Sequence, residues 1–420
     1  MRVLVTGATG FIGRRLVDAL RARGHEVIEA ARGGAGLRVD FARDHSPEAW
    51  RPRLQGVDAV VNAVGIFRER GTQTFDALHR AAPSALFRAC ADAGVRRVVQ
   101  LSALGADDSA ASRYHLTKRE ADRALAALPL SSAIVQPSLV WGPGGASAAL
   151  FGALASLPVL PLPGGGRQRV QPIHVDDAVE ALVRLVEREP VPGAAVVPLV
   201  GPEPLEFAAF LGALRRSLGL PAATVLAVPM SLARAGAALA RHWPGALVDP
   251  DALDMLERGN VADPAATTAL LGRPPRPAEA FVPAAHADAE RAAARLRWLL
   301  PLLRASLAAV WFAAAIVSVA FWPTEDSLRL LERSGVPPAL GPLALWGASG
   351  LDLFFGIATL SPWAGRRIWW GQLALIAGYS AVIALRLPEF WLHPYGPMVK
   401  NLPIVAILVA LIALAPPTRR

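Results

Sequence analysis

Cysteine is nearly absent from this chain of 420 residues, which contains Cys90 and no other. A single cysteine excludes an intramolecular disulfide framework and argues against a metal site built from thiolates. Cysteine and histidine form no cluster with the spacing of a zinc site, so we expect no metal. The net charge of +9 is carried by dispersed arginines without a Lys/Arg run, and we therefore expect no nucleic-acid partner.

Lysine and tyrosine are also scarce. Of the 43 basic side chains only Lys118 and Lys400 are lysines, and Tyr114 is the one tyrosine that precedes Tyr379. Arginine cannot replace a compact ammonium group on a flexible stem, and phenylalanine cannot donate a proton. A sequence that uses so little of either residue predicts that Tyr114 and Lys118 perform chemistry that substitutes could not.

The spacing of this pair supports the interpretation. The residues from Ser112 to Leu128 have apolar side chains at helical spacing and are followed by Pro129, which predicts a helix. Residues i and i+4 lie on one face of a helix. A nearby ammonium group lowers the pKa of a tyrosine from about 10 toward the range that suits proton transfer. The alternative is a tyrosine and a lysine on an exposed helix face.

Glycines at three-residue spacing follow the first predicted strand. Gly7, Gly10 and Gly13 precede a predicted helix from Arg14 to Arg23, and a second strand is predicted from Glu26 to Ala31. This unit is typical of dinucleotide-binding domains, in which the glycines let the backbone approach a pyrophosphate and let the helix pack closely. It predicts an α/β fold with a doubly wound parallel sheet of the Rossmann type.

Five motifs extend this pattern along the chain. The chain resembles the extended or atypical short-chain dehydrogenases/reductases, close to the NADPH-binding accessory subunit of respiratory complex I, in TGATGFIG (6–13), NAVG (62–65), LSA (101–103), PSLVWGP (137–143) and PIHVDD (172–177). The resemblance implies that Tyr114 is the general acid/base, that Lys118 holds the ribose, and that Ser102 orients the substrate oxygen. Ala103 and Leu104 are alternatives to Ser102. The implied cofactor contacts are Gly7, Thr9, Gly10, Phe11, Ile12, Gly13, Arg32, Asp40, Asn62, Ala63, Val64, Tyr114, Lys118 and Pro137.

Two of these positions bear on the identity of the cofactor. Arg32 follows the second strand, where an arginine accepts the 2′-phosphate of NADP(H), so NADP(H) is favoured over NAD(H). The alternative is that Arg32 is an ordinary surface arginine. Asp40 matches the aspartate with which the family binds the adenine amino group.

His174 is interpreted as structural, with Asp176 or Asp177 capping the following helix.

The last third of the chain is strongly apolar. Four segments there carry at most one charged side chain each, namely 305–322, 339–360, 368–385 and 401–417. Their lengths match the thickness of a bilayer, and tryptophans flank them, which predicts an all-α domain of four transmembrane helices. The flanking basic residues favour a cytoplasmic location for both ends, with Arg291, Arg295, Arg297, Arg366, Arg367, Arg419 and Arg420 on one side against Arg329, Arg333, Arg386 and Lys400 on the other.

This region resembles the DoxX-like family of small bacterial membrane proteins, some of whose relatives handle quinones. The similarity lies in GLDL (350–353) and HPYGPMVKNLP (393–403). Asp352 is a functional candidate, because a carboxylate within a membrane span is costly unless it is paired or faces water. The alternative is a structural ion pair with Lys400 or Arg304.

We therefore expect an NAD(P)-binding domain at 1–290, with a small, mostly helical substrate lobe at about 186–290 that has some strand near 195–199. Residues 296–420 form the membrane domain, in the inner (cytoplasmic) membrane. The expected function is a membrane-anchored NAD(P)-dependent oxidoreductase whose small-molecule substrate is a carbonyl, hydroxyl or quinone compound of lipophilic character. One alternative is a non-catalytic NADPH-binding sensor or assembly factor that has a membrane complex as its partner. The other is a sugar-nucleotide epimerase or dehydratase.

Overall fold

The computed structural model describes residues 1–34, 36–240, 250–394 and 396–415. The chain divides into two compact units, Met1–Ala294 and Arg295–Arg420. Tyr395 of the DoxX-like segment, residues 416–417 of the fourth apolar segment, and the terminal Arg419 and Arg420 lie outside the described residues.

Strands and helices alternate through most of the first unit, and its last helix continues beyond Ala294. In chain order the elements are β1 (Arg2–Thr6), α1 (Phe11–Ala22), β2 (Glu26–Ala31), β3 (Leu37–Arg38), α2 (Pro47–Trp50), β4 (Ala59–Asn62), α3 (Ala82–Asp92), β5 (Arg97–Leu101), α4 (Arg113–Ala126), β6 (Ser131–Pro137), β7 (Val140–Trp141), α5 (Ala146–Ala155), β8 (Val159–Pro163), β9 (Arg169–Val170), β10 (Ile173–His174), α6 (Val175–Glu187), β11 (Gly193–Leu199), β12 (Leu205–Glu206), α7 (Phe207–Ser217), β13 (Thr224–Val228), α8 (Met230–Ala240), α9 (Pro250–Arg258), α10 (Ala265–Leu271) and α11 (Ala287–Ile316). A π-helical stretch, Asp76–Ala81, leads into α3.

A seven-stranded sheet lies at the centre of this unit, in the order β11-β6-β5-β4-β1-β2-β3. Every pairing within it is parallel. The expected doubly wound sheet is therefore confirmed. The direction of winding changes between β1 and β4, and ligands of such sheets bind at the carboxyl ends of the strands beside this point.

Alternating side chains of the strands enter two separate cores, one on each face of the sheet. Val3 and Val5 of β1 pack with apolar residues of α1 and α6, whereas Leu4 packs with residues of α2, α3 and α4. This is the two-residue period of a strand that is buried on both faces. Burial of each such aliphatic side chain stabilises the fold by about 2 kcal/mol.

A third core belongs to the smaller lobe beside the sheet. It contains Trp141, Phe207, Phe210 and Phe281 together with residues of α5 and β8. The lobe is thus built from two stretches of chain, one on each side of α6 and β11. The strand expected within the lobe near 195–199 is β11, which instead pairs with β6 at the edge of the main sheet.

The second unit consists mainly of apolar helices. It contains the later part of α11 and then α12 (Thr324–Arg333), α13 (Gly341–Leu360), α14 (Arg366–Arg386), α15 (Glu389–Leu392) and α16 (Asn401–Leu414). Within the described residues, three stretches are long and apolar enough to cross a membrane, namely Ala284–Phe321, Pro338–Leu360 and Arg366–Arg386. The fourth apolar helix, α16, has 14 residues and is about 21 Å long, shorter than a typical hydrocarbon core.

Candidate active site

The turn between β1 and α1 requires its glycines. Gly7 has a φ of +70°, and a Cβ atom there would lie 2.8 Å from the carbonyl oxygen of Ala63. A Cβ atom at Gly13 would lie 2.1 Å from the carbonyl oxygen of Gly7. Side chains at these positions would collide with the backbone, so the start of α1 lies close against β1 and β4. The first N–H groups of α1 follow Gly10 and favour a bound anion such as a pyrophosphate.

The other residues expected to contact the cofactor here surround the first turn of α1. Thr9 is exposed, and Phe11 and Ile12 are half-buried. The ring of Phe11 packs so closely on the loop after β7 that a Cβ atom at Gly145 would lie 2.8 Å from it. Arg15 joins the same two segments by donating to the carbonyl oxygens of Phe11, at 3.0 Å, and of Pro143, at 2.6 Å.

Asn62 is fully buried at the end of β4, and its amide group is used within the sheet. The hydroxyl of Thr6 donates to Asn62 Oδ1 at 2.6 Å, and Asn62 Nδ2 donates to Gln100 Oε1 at 2.7 Å. These bonds link the ends of β1, β4 and β5. Asn62 Oδ1 also accepts the N–H of Val64 at 3.4 Å, and the carbonyl oxygen of Val64 accepts a hydrogen bond from Lys118 Nζ.

Arg32 and Asp40 lie at the far edge of the sheet. Arg32 is exposed directly after β2, and the neighbouring strand places another exposed arginine nearby, since Arg38 is paired with Ala31. The carboxylate of Asp40 accepts the backbone N–H of Ala42 at 3.0 Å. Two exposed cationic side chains thus lie at the carboxyl ends of β2 and β3.

Tyr114 and Lys118 lie in the first two turns of α4, which begins where its sequence predicts. The hydroxyl of Ser112 caps this helix by accepting the N–H of His115. Tyr114 is 9% exposed and Lys118 is 3% exposed, so the alternative of an exposed helix face is wrong. Lys118 Nζ donates to the carbonyl oxygens of Leu101, at 2.8 Å, and of Val64, at 3.3 Å, at the ends of β5 and β4.

The electrostatic prediction for this pair needs correction. We expected the ammonium group to lower the tyrosine pKa, but in the structure burial raises the pKa of Tyr114, and the charge of Asp122 raises it further. Burial also lowers the pKa of Lys118 to about 8, against the opposing effect of Asp122. Desolvation disfavours both charged forms, and the sequence does not reveal how deeply the pair is buried.

Aromatic rings surround Tyr114. Phe67 is stacked on it at a centroid distance of 5.4 Å, and Phe75, His79 and His115 meet it edge to face at 6.0, 5.3 and 5.2 Å. Burial, with the charge of Lys118, lowers the pKa of His79 to about 2, so this ring is neutral. Its Nε2 accepts the N–H of Ile66 at 3.1 Å. The motifs did not indicate these rings, because they come from segments outside every motif or adjacent to one.

Ser102 is turned toward a residue that the sequence reasoning missed. Its hydroxyl donates to the carboxylate of Asp122 in α4, and both residues are buried. Ala103 packs against Tyr114, and the N–H of Leu104 donates to the carbonyl oxygen of Pro137 at 3.0 Å. Spacing could have found Asp122, because it follows Tyr114 and Lys118 at a further interval of four.

His174 has the structural role that we predicted, but the identity of the cap differs. The helix α6 begins at Val175, and His174 Nδ1 accepts the N–H of Asp176 at 3.2 Å. The imidazole ring, not Asp176 or Asp177, is therefore the capping group. Asp177 is fully buried and is paired with Arg273 at 2.7 Å.

Asp352 is the unusual polar residue of the second unit. It is 8% exposed in α13, and its Oδ1 is buried without a hydrogen-bond partner among the described residues. Arg304, one of the proposed partners, instead donates to the carbonyl oxygens of Thr359 and Ser361, each at 2.9 Å. A structural ion pair between Asp352 and Arg304 is thus wrong.

The fold and the site define an enzyme class that binds NAD(P) at the end of a Rossmann-type sheet. Residues 3–197 match the model of the NAD dependent epimerase/dehydratase family, and residues 308–409 match that of the DoxX-like family. The chain belongs to the NAD-dependent epimerase/dehydratase family, within the short-chain dehydrogenases/reductases, and carries a C-terminal DoxX-like membrane domain. The resemblance seen in its motifs is confirmed, and the chain belongs to a family of NAD(P)-dependent reductases and epimerases.

Several curated proteins are similar to the first unit. The chain is 32% identical over 210 residues to a ceramide reductase of Caulobacter vibrioides, covering 46% of this chain and 62% of that protein. It is 32% identical over 254 residues to a 3-diazoavenalumate denitrifying reductase of Streptomyces, covering 53% of this chain and 83% of that protein. A mitochondrial NADH dehydrogenase alpha subcomplex subunit 9 of Arabidopsis thaliana is 31% identical over 224 residues, covering 47% of this chain and 53% of that protein.

Proposed function

We propose that this protein reduces a carbonyl or quinone group of a lipophilic substrate with NADPH, at the membrane, and that Tyr114 transfers the proton. The observation that carries this proposal is the arrangement on α4. A phenol lies within a wall of aromatic rings, and an ammonium group one turn away is fixed to the ends of two strands. Such a site offers a proton next to an apolar surface.

The backbone at the switch point fits a dinucleotide. Gly7, Gly10 and the first N–H groups of α1 would hold the pyrophosphate, and Lys118 would hold ribose hydroxyls with the ammonium hydrogen that remains after its two carbonyl contacts. Arg32 and Arg38 favour NADP(H) over NAD(H), because their positive charges suit a 2′-phosphate. When bound there, the cofactor supplies the hydride.

The protein's own residues supply the rest of the reaction. Tyr114 donates its proton to the substrate oxygen as negative charge develops there, and Lys118 favours the resulting phenolate. Because burial raises the pKa of Tyr114, the phenol is fully protonated before the reaction and acts as an acid. The neutral ring of His79 adds no competing charge beside it.

The apolar wall favours a lipophilic substrate. Phe67 is 67% exposed beside Tyr114, while Phe75 and Ala103 form the buried part of the same wall, with Met255 of α9 against it. A relative whose name identifies it as a ceramide reductase is consistent with this substrate class. A substrate of this kind dissolves in membranes, which gives a reason for a membrane domain on the same chain.

For the second unit we propose a multi-pass arrangement in the inner membrane with both chain ends in the cytoplasm, where NADPH is made available. The membrane-spanning helices would be α11, α13, α14 and the shorter α16. Asp352, buried and with an unpartnered oxygen, would bind a hydrogen-bonding group of the substrate within the bilayer. The unit would then deliver substrate as well as anchor the enzyme.

Two experiments test this function on the intact chain in nanodiscs. NADPH should bind more tightly than NADH when followed by its fluorescence, and lipophilic ketones or quinones should be reduced with oxidation of NADPH. Turnover of nucleotide sugars without net NADPH oxidation would instead establish the epimerase alternative. The sensor alternative would be established if the protein binds the cofactor but turns over no carbonyl compound, and if Tyr114→Phe binds NADPH with unchanged affinity.

A further inference from the structure

A buried carboxylate extends the line of functional groups on α4. Asp122 follows Lys118 by four residues, as Lys118 follows Tyr114, so the three side chains occupy successive turns of one helix face. Asp122 is buried, although it lies outside the family motifs. A buried carboxylate needs a partner, because an isolated charge is costly away from water.

The contacts of Asp122 show which partners it has. The hydroxyl of Ser102, at the end of β5, donates to Asp122 Oδ2. The other oxygen, Oδ1, is buried without a hydrogen-bond partner within the described residues. Burial raises the pKa of this carboxyl to about 6, and the bond from Ser102 and the charge of Lys118 oppose that rise. The negative charge of Asp122 and the positive charge of Lys118 thus each favour the ionised form of the other.

The surroundings of Lys118 contain few other charges. On its own helix it faces Tyr114 and Asp122, and from β5 and the end of β4 it meets the carbonyl oxygens of Leu101 and Val64. From the π-helical stretch it faces His79, which is neutral. Asp122 is therefore the negatively charged side chain that acts on the buried ammonium group among the residues the structure describes.

We propose that Asp122 and Ser102 are positioning residues, which hold Lys118 in its charged form behind Tyr114. The hydroxyl of Ser102 stabilises the carboxylate, and the carboxylate stabilises the ammonium group. This assigns Ser102 a role through Asp122 rather than through the substrate oxygen. The proposal rests on the proposed function for its consequence, because the charge of Lys118 affects catalysis only if Tyr114 exchanges a proton.

The sign of the effect follows from the charges. Burial lowers the pKa of Lys118 to about 8, and Asp122 acts in the opposite direction. Replacement of Asp122 by a neutral side chain of the same shape would remove this support, so Lys118 would lose its proton at a lower pH. Near neutral pH part of the population would then lack the ammonium group that favours the phenolate form of Tyr114.

The scarcity of lysine permits a direct test on the full-length protein. Lysine labelled with 13C at Cε would give two NMR signals, from Lys118 and Lys400, and the chemical shift of each would report its titration. In Asp122→Asn the midpoint for Lys118 should fall by about one pH unit or more, while Lys400 is unchanged. Glu120→Gln is the matched control, because this exposed side chain lies two residues earlier in α4.

Ser102→Ala gives an independent measurement that does not depend on how well the Asp122 variant folds. It should lower the midpoint of Lys118 in the same direction by a smaller amount, since the carboxylate then loses its hydroxyl donor. If the titration midpoint of Lys118 stays the same in Asp122→Asn, the proposal is wrong. If it stays the same in Ser102→Ala, the positioning role proposed for Ser102 is wrong. The titration requires neither cofactor nor turnover, so a failed activity screen would refute the proposed function without affecting this result.

Discussion

The ring of Phe67 lies nearly parallel to the ring of Tyr114, with centroids 5.4 Å apart and an interplanar angle of 19°. Phe67 is 67% exposed, and its stretch of chain follows β4 directly. An exposed aromatic ring beside a candidate proton donor is a candidate contact for an apolar ligand. An apolar surface therefore lies directly beside the proposed proton donor.

Replacement of Phe67 by alanine should weaken the binding of lipophilic substrates. Loss of the ring removes apolar contact worth about 1.4 kcal/mol or more, which corresponds to a tenfold rise in KM. The affinity for NADPH should not change, because the glycine turn and Lys118 are untouched. Steady-state kinetics with a series of ketones of increasing chain length would measure the effect.

Val196→Ala is the control for this experiment, since Val196 is an exposed apolar side chain on the edge strand β11. It should leave KM unchanged for every member of the series. If Phe67→Ala also leaves KM unchanged for long-chain ketones, the aromatic wall does not contact the substrate.

Removal of the Tyr114 hydroxyl should abolish most of the catalysis without affecting the cofactor. General acid catalysis contributes about 10²–10⁴-fold, so kcat of Tyr114→Phe should fall by roughly this factor while the dissociation constant of NADPH stays similar. The phenylalanine ring retains the contacts with Phe67 and Phe75. Measurement of kcat together with NADPH fluorescence separates the two effects, and near-normal kcat would show that another group donates the proton.

The sheet could be predicted from the sequence because its signals are local. The turn at Gly7, the apolar strands and the helix that carries Tyr114 are each encoded by residues that are close together in the sequence. The surroundings of Tyr114 are not local, since Phe67, His79 and Met255 approach it only after folding. Burial by these residues raises the pKa of Tyr114, whereas we expected it to be lowered. The sequence could not show this, because the degree of burial is a property of the tertiary structure.

Two further differences between the predictions and the structure also arise from tertiary packing. The sequence gives no sign that the ring of His174 caps α6, because histidine is an uncommon cap and aspartates follow it immediately. The hydroxyl of Ser102 was expected to face the substrate because of its position after β5. In the structure it donates to Asp122, a residue two turns beyond Tyr114 whose proximity to β5 depends on how α4 packs against the sheet.

The preference for NADP(H) should depend on the exposed arginines beside β2 and β3. Arg32→Glu should weaken NADPH binding by more than tenfold and leave NADH binding nearly unchanged, because a carboxylate repels the 2′-phosphate and can accept a ribose hydroxyl. Arg38→Gln should weaken NADPH binding less. Fluorescence titration with both cofactors would measure the ratio, and Arg88→Glu is a control at an exposed position in α3, away from β2 and β3. Equal losses for both cofactors in Arg32→Glu would show that Arg32 does not select between them.

The role of the second unit depends on Asp352, whose Oδ1 lacks a hydrogen-bond partner among the described residues although the side chain is buried. A carboxylate within an apolar helix is costly, and one long helix would suffice for anchoring. If this unit delivers the substrate, Asp352→Asn in the intact chain should lower turnover of a membrane-dissolved quinone by about tenfold or more, as expected for loss of a charge-assisted hydrogen bond. Turnover of a short, water-soluble ketone and the affinity for NADPH should stay the same.

The control is Glu325→Gln, since Glu325 is an exposed acidic residue in the first turn of α12. This variant should turn over both substrates as the unmodified protein does. Equal turnover of the quinone by Asp352→Asn and by the unmodified protein would contradict delivery and leave anchoring as the role of the unit.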